Sequence, residues 1–107
     1  MIEVFVTYDL LPNIDQKAYV QLLKKAIVPI LQQPGIVEIR AHRDVSGSPS
    51  VLIIFVWETV AYWKAFEMKK EWKELKDEVN KSFASNMKMK LWGPSPIAPT
   101  PLRPLKN

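Results

Sequence analysis

The sequence contains no cysteine and only one histidine in 107 residues. Without cysteine, the chain can form neither a disulfide-stabilised scaffold nor a reactive thiolate. Zinc sites take most of their protein ligands from cysteine and histidine, so we expect no metal site. The sequence also lacks any run of 18 apolar residues, so we expect no membrane span and no membrane partner.

Two further features bear on location and partners. The opening segment, MIEVFVTYDL, has neither a basic region nor a small-residue cleavage site. It therefore gives no indication of export, and we expect a cytoplasmic protein. The formal net charge is +4, and the basic excess lies in the second half of the chain. Lysine and glutamate alternate there, which is typical of a solvated helix face, so we expect no nucleic-acid partner.

Hydrophobic periodicity predicts six secondary-structure elements. Alternating apolar residues indicate strands, and apolar residues that recur at three and four positions indicate helices. Asn13 and Gln16 resemble a capping box at the start of the first helix, and Val37, Ile39 and Ala41 should share one face of the second strand. The predicted order is a strand at 2–10, a helix ending near 32, a strand at 36–45, a strand at 50–58, a helix from 60 to about 83 and a strand at 86–92.

The second helix contains a change of phase. Val60, Trp63 and Phe66 lie on one stripe of this helix. A second stripe, turned well away from the first, comprises Met68, Trp72, Leu75, Val79 and Phe83. One straight helix cannot turn both stripes toward the same sheet. We therefore predict a break in the helix near residues 67–69.

The third strand, SVLIIFVWE, is apolar on both of its faces. With the order of the elements, it predicts an α+β protein of the ferredoxin-like βαββαβ class, whose four-stranded antiparallel sheet carries its helices on one face. The other face would lie open to water, and it would carry Phe5 with either Leu52, Ile54 and Val56 or Val51, Ile53 and Phe55. Burial of each such side chain is worth roughly 1.5–3 kcal/mol. We therefore expect a homodimer whose sheets pack face to face and form an α/β barrel, with Phe5, Ile54 and Val56 at the interface.

Residues 94–107 differ in composition from the predicted domain at residues 1–93. Five prolines in this segment prevent both a helix and an inner strand, so we predict an extended arm. The sequences PIAP and PLRP match the PxxP pattern of SH3 ligands, but such matches are common in proline-rich segments. We expect the arm to pack along the body of its own subunit or over a partner subunit.

Three segments resemble the dimeric α/β-barrel proteins of the antibiotic biosynthesis monooxygenase family, namely PGIVEIRAHRD, VLIIFVWET and AYWKAFEMKKEWKEL. The resemblance covers about residues 2–92 and rests on the pattern of these segments. It implies a homodimer with a mostly apolar pocket between the helices and the sheet of each subunit. Members of the family include cofactor-independent oxygenases of quinols and anthrones, haem-degrading enzymes and proteins without known activity.

The haem-degrading members differ from this chain at the residues that handle haem. They use a histidine on the second helical region, an asparagine on the first strand and a tryptophan near the start of the helix. Trp63 could match the tryptophan, but Tyr8 occupies the asparagine position, and residues 60–83 contain no histidine. We therefore expect no haem and no other cofactor.

The resemblance and the residue types together give candidates for a ligand pocket. Tyr8, Trp63 and Phe66 are aromatic and could converge on a small apolar or aromatic ligand. Tyr8 is also a candidate catalytic residue, because its hydroxyl can exchange a proton with a substrate. The alternative is that all three side chains only fill the core, as aromatic residues beneath a sheet usually do.

His42 is the second candidate catalytic residue, because Asp44 on the same face of the strand could orient its imidazole as a general base. The alternative is a histidine at the surface or at the subunit interface, since the predicted strand lies at the edge of the sheet. At the same edge, we expect Glu38 and Arg40 to form ion pairs between subunits.

Other functions that fit this strand order can be compared with the sequence. An RNA-recognition domain would need glycines and a leading basic residue in its third strand, and VLIIFVWE has neither. The residues predict a homodimer that binds a small molecule, and the resemblance implies that it is a cofactor-independent oxygenase of aromatic or quinol compounds. The alternative is a ligand-binding or stress-related dimer without catalytic activity.

Overall fold

A computed structural model of the chain describes residues 1–105. Its elements are β1 Ile2–Leu10, α1 Gln16–Leu31, β2 Ile36–Arg43, β3 Val51–Trp57, α2 Val60–Glu67, α3 Lys70–Ser82 and β4 Ala84–Trp92. Within the described part of the chain, no helix is long and apolar enough to cross a membrane.

The four strands form one antiparallel sheet in the order β2-β3-β1-β4. The inner face of the sheet packs against the helices, and its core side chains include Val4, Val6, Tyr8, Phe55 and Trp57. The predicted ferredoxin-like α+β class is therefore confirmed. The two central strands are β1 and β3, and the two edges are β2 and β4, as the hydrophobic pattern of the strands predicts.

The predicted break in the second helical region is confirmed. α2 ends at Glu67 and α3 begins at Lys70. The change of direction lets Trp63 and Phe66 of α2 and Trp72 of α3 all reach the core. Met68 lies in the break itself and is exposed, so its assignment to the buried stripe was wrong.

The first helix begins at a different cap from the one predicted. The Asp15 carboxylate accepts a hydrogen bond from the backbone N–H of Ala18 at 3.1 Å, and Asp15 is the N-cap. Asn13 instead has a positive φ of 61° and belongs to the preceding turn, a conformation that asparagine tolerates better than most residues. Asparagine and aspartate both make good N-caps, so the sequence pattern alone could not distinguish Asn13 from Asp15.

A bulge changes the predicted faces of β2. The pairing with β3 shifts between Ile36, opposite Trp57, and Glu38, opposite Val56. Val37 is the extra residue, and its side chain is exposed, whereas Ile39 keeps the inner face. The prediction that Val37 shares the inner face was therefore wrong, because a bulge inserts one residue and breaks the two-residue period.

The sheet face without helices is better covered than the sequence suggests. Ile54 and Val56 are only 6% and 5% exposed in a single subunit. Ile54 lies between Phe5 and Arg40 of the neighbouring strands, and Val56 lies between side chains of two glutamates, Glu3 and Glu38. The long flanking side chains cover these two apolar residues, so the expectation that they lie open to water was wrong.

The proline-rich arm leaves the domain after Trp92. Residues 94–105 contain neither helix nor strand. Three large apolar side chains of the arm, Ile97, Leu102 and Leu105, are 93%, 84% and 95% exposed. The expectation that the arm packs along the body of its own subunit is therefore wrong for these residues. The last two residues of the predicted arm lie outside the described residues.

Gly35 makes a close contact between the start of β2 and the first turn of α2. Its φ is +84°, and a Cβ atom at this position would overlap the side chain of Tyr62. The Gly35 carbonyl also accepts a hydrogen bond from the backbone N–H of Glu58 at 2.8 Å. Only glycine combines the left-handed backbone with the space that the Tyr62 ring requires.

We expect Gly35→Ala to lower the free energy of unfolding by about 2–4 kcal/mol, measured by urea denaturation. The positive φ costs about 1 kcal/mol for alanine, and the overlap with Tyr62 adds about 1–3 kcal/mol. The matched control is Gly47→Ala, because a Cβ at Gly47 meets no atom within 4 Å. Equal losses for both variants would contradict the close approach.

Candidate functional site

A cavity of about 80 Å³ lies between the helices and the inner face of the sheet. It is lined on three sides by Ile27 and Ile30 of α1, Ile39 and Ala41 of β2, and Trp72 and Lys76 of α3. The accessible lining is apolar throughout, and Lys76 is the only charged residue among the side chains described as lining it. Such a surface can hold an apolar ligand without leaving polar groups unpaired.

Tyr8 contributes to the cavity wall from β1 and is itself buried. Its hydroxyl forms a hydrogen bond of 2.5 Å with the hydroxyl of Tyr19 on α1, and either oxygen can be the donor. When Tyr19 donates, this bond does not use the proton of Tyr8, but the Tyr8 hydroxyl is buried behind the apolar lining of the cavity. The pair joins a strand and a helix at one side of the cavity.

Burial changes the acid–base behaviour of Tyr8. Removal of the phenol from water raises the pKa of Tyr8 far above its usual range, the hydrogen bond with Tyr19 raises it further, and Arg43 opposes the shift. The charged form is disfavoured because a phenolate loses its hydration in the core. Tyr8 is therefore neutral at physiological pH and suits hydrogen bonding better than proton abstraction.

Trp63 and Phe66 lie in an aromatic cluster next to the cavity. The ring centroid of Trp63 is 5.5 Å from that of Trp72, and the centroid of Phe66 is 5.6 Å from it. Trp72 lines the cavity, whereas Trp63 and Phe66 do not. Of the three predicted pocket aromatics, only Tyr8 thus borders the cavity, and Trp63 and Phe66 support its wall through Trp72.

The cluster contains three buried indole donors. The N–H groups of Trp57, Trp63 and Trp72 have no hydrogen-bond acceptor among the described residues. A buried donor without an acceptor costs roughly 1–3 kcal/mol. Trp72 is the one of these three whose side chain borders the cavity, but its N–H is buried behind the apolar lining and does not open into the cavity.

His42 lies on the other side of the sheet. It is exposed and pairs with Leu52 on the face that carries no helices. The Asp44 carboxylate accepts hydrogen bonds from the backbone N–H and the hydroxyl of Ser46 at 2.8 and 2.6 Å. These bonds lower the pKa of Asp44. The structure therefore brings neither Asp44 to His42 nor His42 to the cavity.

Glu38 and Arg40 contact each other within one strand. The Arg40 Nε atom donates to the Glu38 carboxylate at 2.6 Å, and both side chains are about half exposed. This hydrogen bond lowers the pKa of Glu38, and the positive charge of Arg40 acts in the same direction. The pair was expected between subunits, and in a single chain it forms locally at the edge of the sheet.

Asp9 is a polar centre that the sequence did not reveal. Its carboxylate accepts hydrogen bonds from the Ser48 hydroxyl at 2.7 Å, the Ser50 backbone N–H at 3.1 Å and the Asn86 amide at 3.3 Å. The bonds from Ser48 and Asn86 lower the pKa of Asp9. The available signal was the serine-rich loop before β3, which the topology brings to the end of β1. Asp9 joins three segments and does not border the cavity.

Comparison with known proteins gives one family. The model of the family described as antibiotic biosynthesis monooxygenase matches residues 1–78. No curated protein matches this sequence. Within residues 1–105, no three His, Asp or Glu side chains come together as a metal site.

Solved structures with the same fold come from several organisms. A Deinococcus radiodurans protein described as a candidate antibiotic biosynthesis monooxygenase superposes with a TM-score of 0.76 at 15% identity, over 99% of this chain and 100% of that chain. SnoaB, a cofactor-independent oxygenase from Streptomyces nogalater, gives 0.71 at 11% identity over 99% and 97%. A conserved protein from Methanosarcina mazei gives 0.73 at 12% identity over 85% and 89%.

We expect the raised pKa of Tyr8 to destabilise the protein in strong base. Above pH 10 the tyrosine ionises in the unfolded chain but not in the fold, so the unfolded state binds fewer protons and stability falls as pH rises. The slope should approach about 1.4 kcal/mol per pH unit near pH 11, where most of the unfolded chains carry the ionised tyrosine. Urea denaturation between pH 8 and pH 11 measures it.

The control variants for this pH dependence are Tyr8→Phe and Tyr62→Phe. Tyr8→Phe removes the ionisable group and should flatten the slope above pH 10. Tyr62 is partly exposed, so Tyr62→Phe should leave the slope unchanged. A slope that survives in Tyr8→Phe would show that another group causes it.

Proposed function

The chain belongs to the antibiotic biosynthesis monooxygenase family, and from this we propose that it is a homodimer that binds a small, largely apolar or aromatic molecule in the cavity beside Tyr8. The observation that carries the proposal is the apolar cavity between the helices and the sheet. An apolar ligand gains free energy there in proportion to the surface that it buries, at roughly 25 cal/mol per Å².

The size of the cavity limits how a ligand can enter. Its volume of about 80 Å³ is smaller than the roughly 150 Å³ that an engineered apolar cavity uses to hold benzene. An aromatic ligand must therefore displace side chains. Met87 and Lys76 border the cavity, are only partly buried and have long flexible side chains, so they can move at lower cost than the packed aromatics.

Two buried polar groups beside the cavity would favour a ligand that carries oxygen once lining side chains move, because the accessible lining itself is apolar. The Tyr8 hydroxyl can donate a hydrogen bond when Tyr19 donates to it. The Trp72 N–H is buried without an acceptor in the described chain. A hydroxyl or carbonyl group on an aromatic ring would satisfy such donors, and a pure hydrocarbon would not. Quinols and related hydroxyaromatic compounds combine the required ring and oxygen.

The homodimer is supported by the sheet face without helices. Phe5 and Trp92 pack together on this face with ring centroids 5.9 Å apart, and Trp92 is half exposed. The β4 edge of the face is positively charged through Lys88 and Lys90, whereas on the β2 edge Glu38 is already paired with Arg40 of its own strand. A two-fold axis parallel to the strands would bring β4 of each subunit toward β2 of the other, so the same surface would pair with itself.

Oxygenation of the ligand is the second candidate function. It is favoured by the structural likeness to SnoaB, a cofactor-independent oxygenase. On an anthrone, one O₂ would convert the methylene group to a carbonyl and release one water, with all electrons supplied by the substrate. In this proposal Tyr8 donates a hydrogen bond to the substrate oxygen, while His42 belongs to the subunit interface. Oxygen uptake with anthrone or a naphthoquinol tests the activity, and binding without uptake would leave the ligand-binding function alone.

We expect Ala41→Leu to weaken the binding of 1,4-dihydroxynaphthalene at least tenfold, because Ala41 lines the open side of the cavity and a larger side chain there would narrow its mouth. Quenching of tryptophan fluorescence measures binding under anaerobic conditions, since Trp72 borders the cavity. The matched control is Ala61→Leu on the exposed surface of α2, which should bind like the wild type. Equal affinity in both variants would exclude this cavity as the binding site.

We expect Phe5→Asp to convert the dimer to a monomer at micromolar concentration, because the charge would be buried between two apolar faces. Sedimentation equilibrium measures the change, and circular dichroism confirms that the fold is kept. The control is Val45→Asp in the exposed loop before β3, which should remain dimeric. A wild-type chain that sediments as a monomer would contradict the homodimer itself.

A further inference from the structure

We propose that the proline-rich arm, residues 94–105, packs on a second copy of the chain, against an exposed apolar flank of its first helix. We call this surface the α1 flank and define it as Val20, Ile27 and Leu31. The inference rests on the homodimer proposed above and adds to it the place where the arm binds.

The arm presents apolar side chains that its own subunit does not cover. Ile97, Leu102 and Leu105 are almost fully exposed. The prolines around them hold the chain extended, so the arm loses less conformational entropy when it docks on a surface.

The α1 flank is a matching apolar surface. Val20, Ile27 and Leu31 are 43%, 37% and 50% exposed, and their spacing of seven and four residues places them on one line of the helix. Lys25 and Ala26 border the groove toward α3 on the other side of the helix. The flank therefore faces away from α3 and lies above β2, at the open edge of the sheet.

The topology brings the arm of one subunit to this flank of the other. β4 ends at Trp92, opposite Glu3, at the end of the sheet where β2 begins. A two-fold axis parallel to the strands would place β4 of one subunit beside β2 of its partner and keep both at the same end. The arm would then start beside the beginning of β2 in the partner, and it would pass around this edge strand to reach Leu31 at the end of α1.

The arm is long enough for this contact. An extended proline-rich segment advances about 3.1 Å per residue, so residues 94–105 reach about 37 Å by the same principle. The flank from Leu31 to Val20 is about 17 Å long at the rise of an α-helix. With Ile97 against Leu31, Leu102 would lie about 16 Å further along the arm, near Val20, and Leu105 would extend past it.

Cross-linking between two single-cysteine variants tests the contact, because the natural chain has no cysteine. Ile97→Cys and Leu31→Cys are refolded together and treated with a short bismaleimide. We expect a covalent dimer at several times the yield obtained when Lys73→Cys on α3 replaces Leu31→Cys. Equal yields would overturn the proposal, as would an intrachain link in the variant that carries both Ile97→Cys and Leu31→Cys.

Dimer dissociation supplies an independent readout. A chain that ends at Gly93, and a full chain with Ile97→Ser, Leu102→Ser and Leu105→Ser, should both dissociate at least tenfold more readily than the wild type in sedimentation experiments. Thr100→Ala is the control within the arm and should have no effect. If the wild type and both variants dimerise equally well, the arm contact is wrong and the homodimer stands. If the wild type is monomeric, the homodimer fails as well.

Discussion

The central strand β3 must be covered on both faces, and the two faces are covered by different means. On the inner face, Phe55 and Trp57 pack against the helices. On the outer face, Ile54 and Val56 are covered by side chains of the flanking strands. To bury the inner face of β3, both α2 and α3 must pack against the sheet. The second helical region breaks because one straight helix could not do this. The outer face depends on flexible charged side chains, and these can yield to a partner surface.

The sequence predicts the parts of the fold that depend on local periodicity. Trp63 and Trp72 cannot share one stripe of a straight helix, so the break follows from their spacing alone. The bulge at Val37 could not be predicted in this way, since VEIRA alternates without a visible interruption. Its position depends on how β2 pairs with β3. Similarly, Asp15 and Asn13 both suit a helix cap, and only the path of the turn decides between them.

The candidate site likewise contains residues that the sequence could predict and residues that it could not. Tyr8 could be identified because a strand pattern and a family likeness both point to it. Its partner Tyr19 could not, because it looks like an ordinary apolar position of α1, and the hydroxyl contact depends on the angle between a helix and a strand. The family likeness points to Trp63, but it is Trp72, on the second apolar stripe, that lines the cavity. The aromatic character of these residues predicts that they cluster, but it does not predict which ring lines the cavity.

The apolar lining of the cavity affects ligand binding and oxygenation in opposite ways. The environment that raises the pKa of Tyr8 would also raise the pKa of a bound phenol, since both lose hydration of the anion. A neutral ligand is therefore favoured, whereas reaction with O₂ is faster from the anion. A nearby positive charge would offset this penalty, and among the described lining residues only Lys76 carries one. Its ammonium lies 5.7 Å above the ring of Trp72, so a bound phenol would meet a positive charge only if this side chain moved toward it.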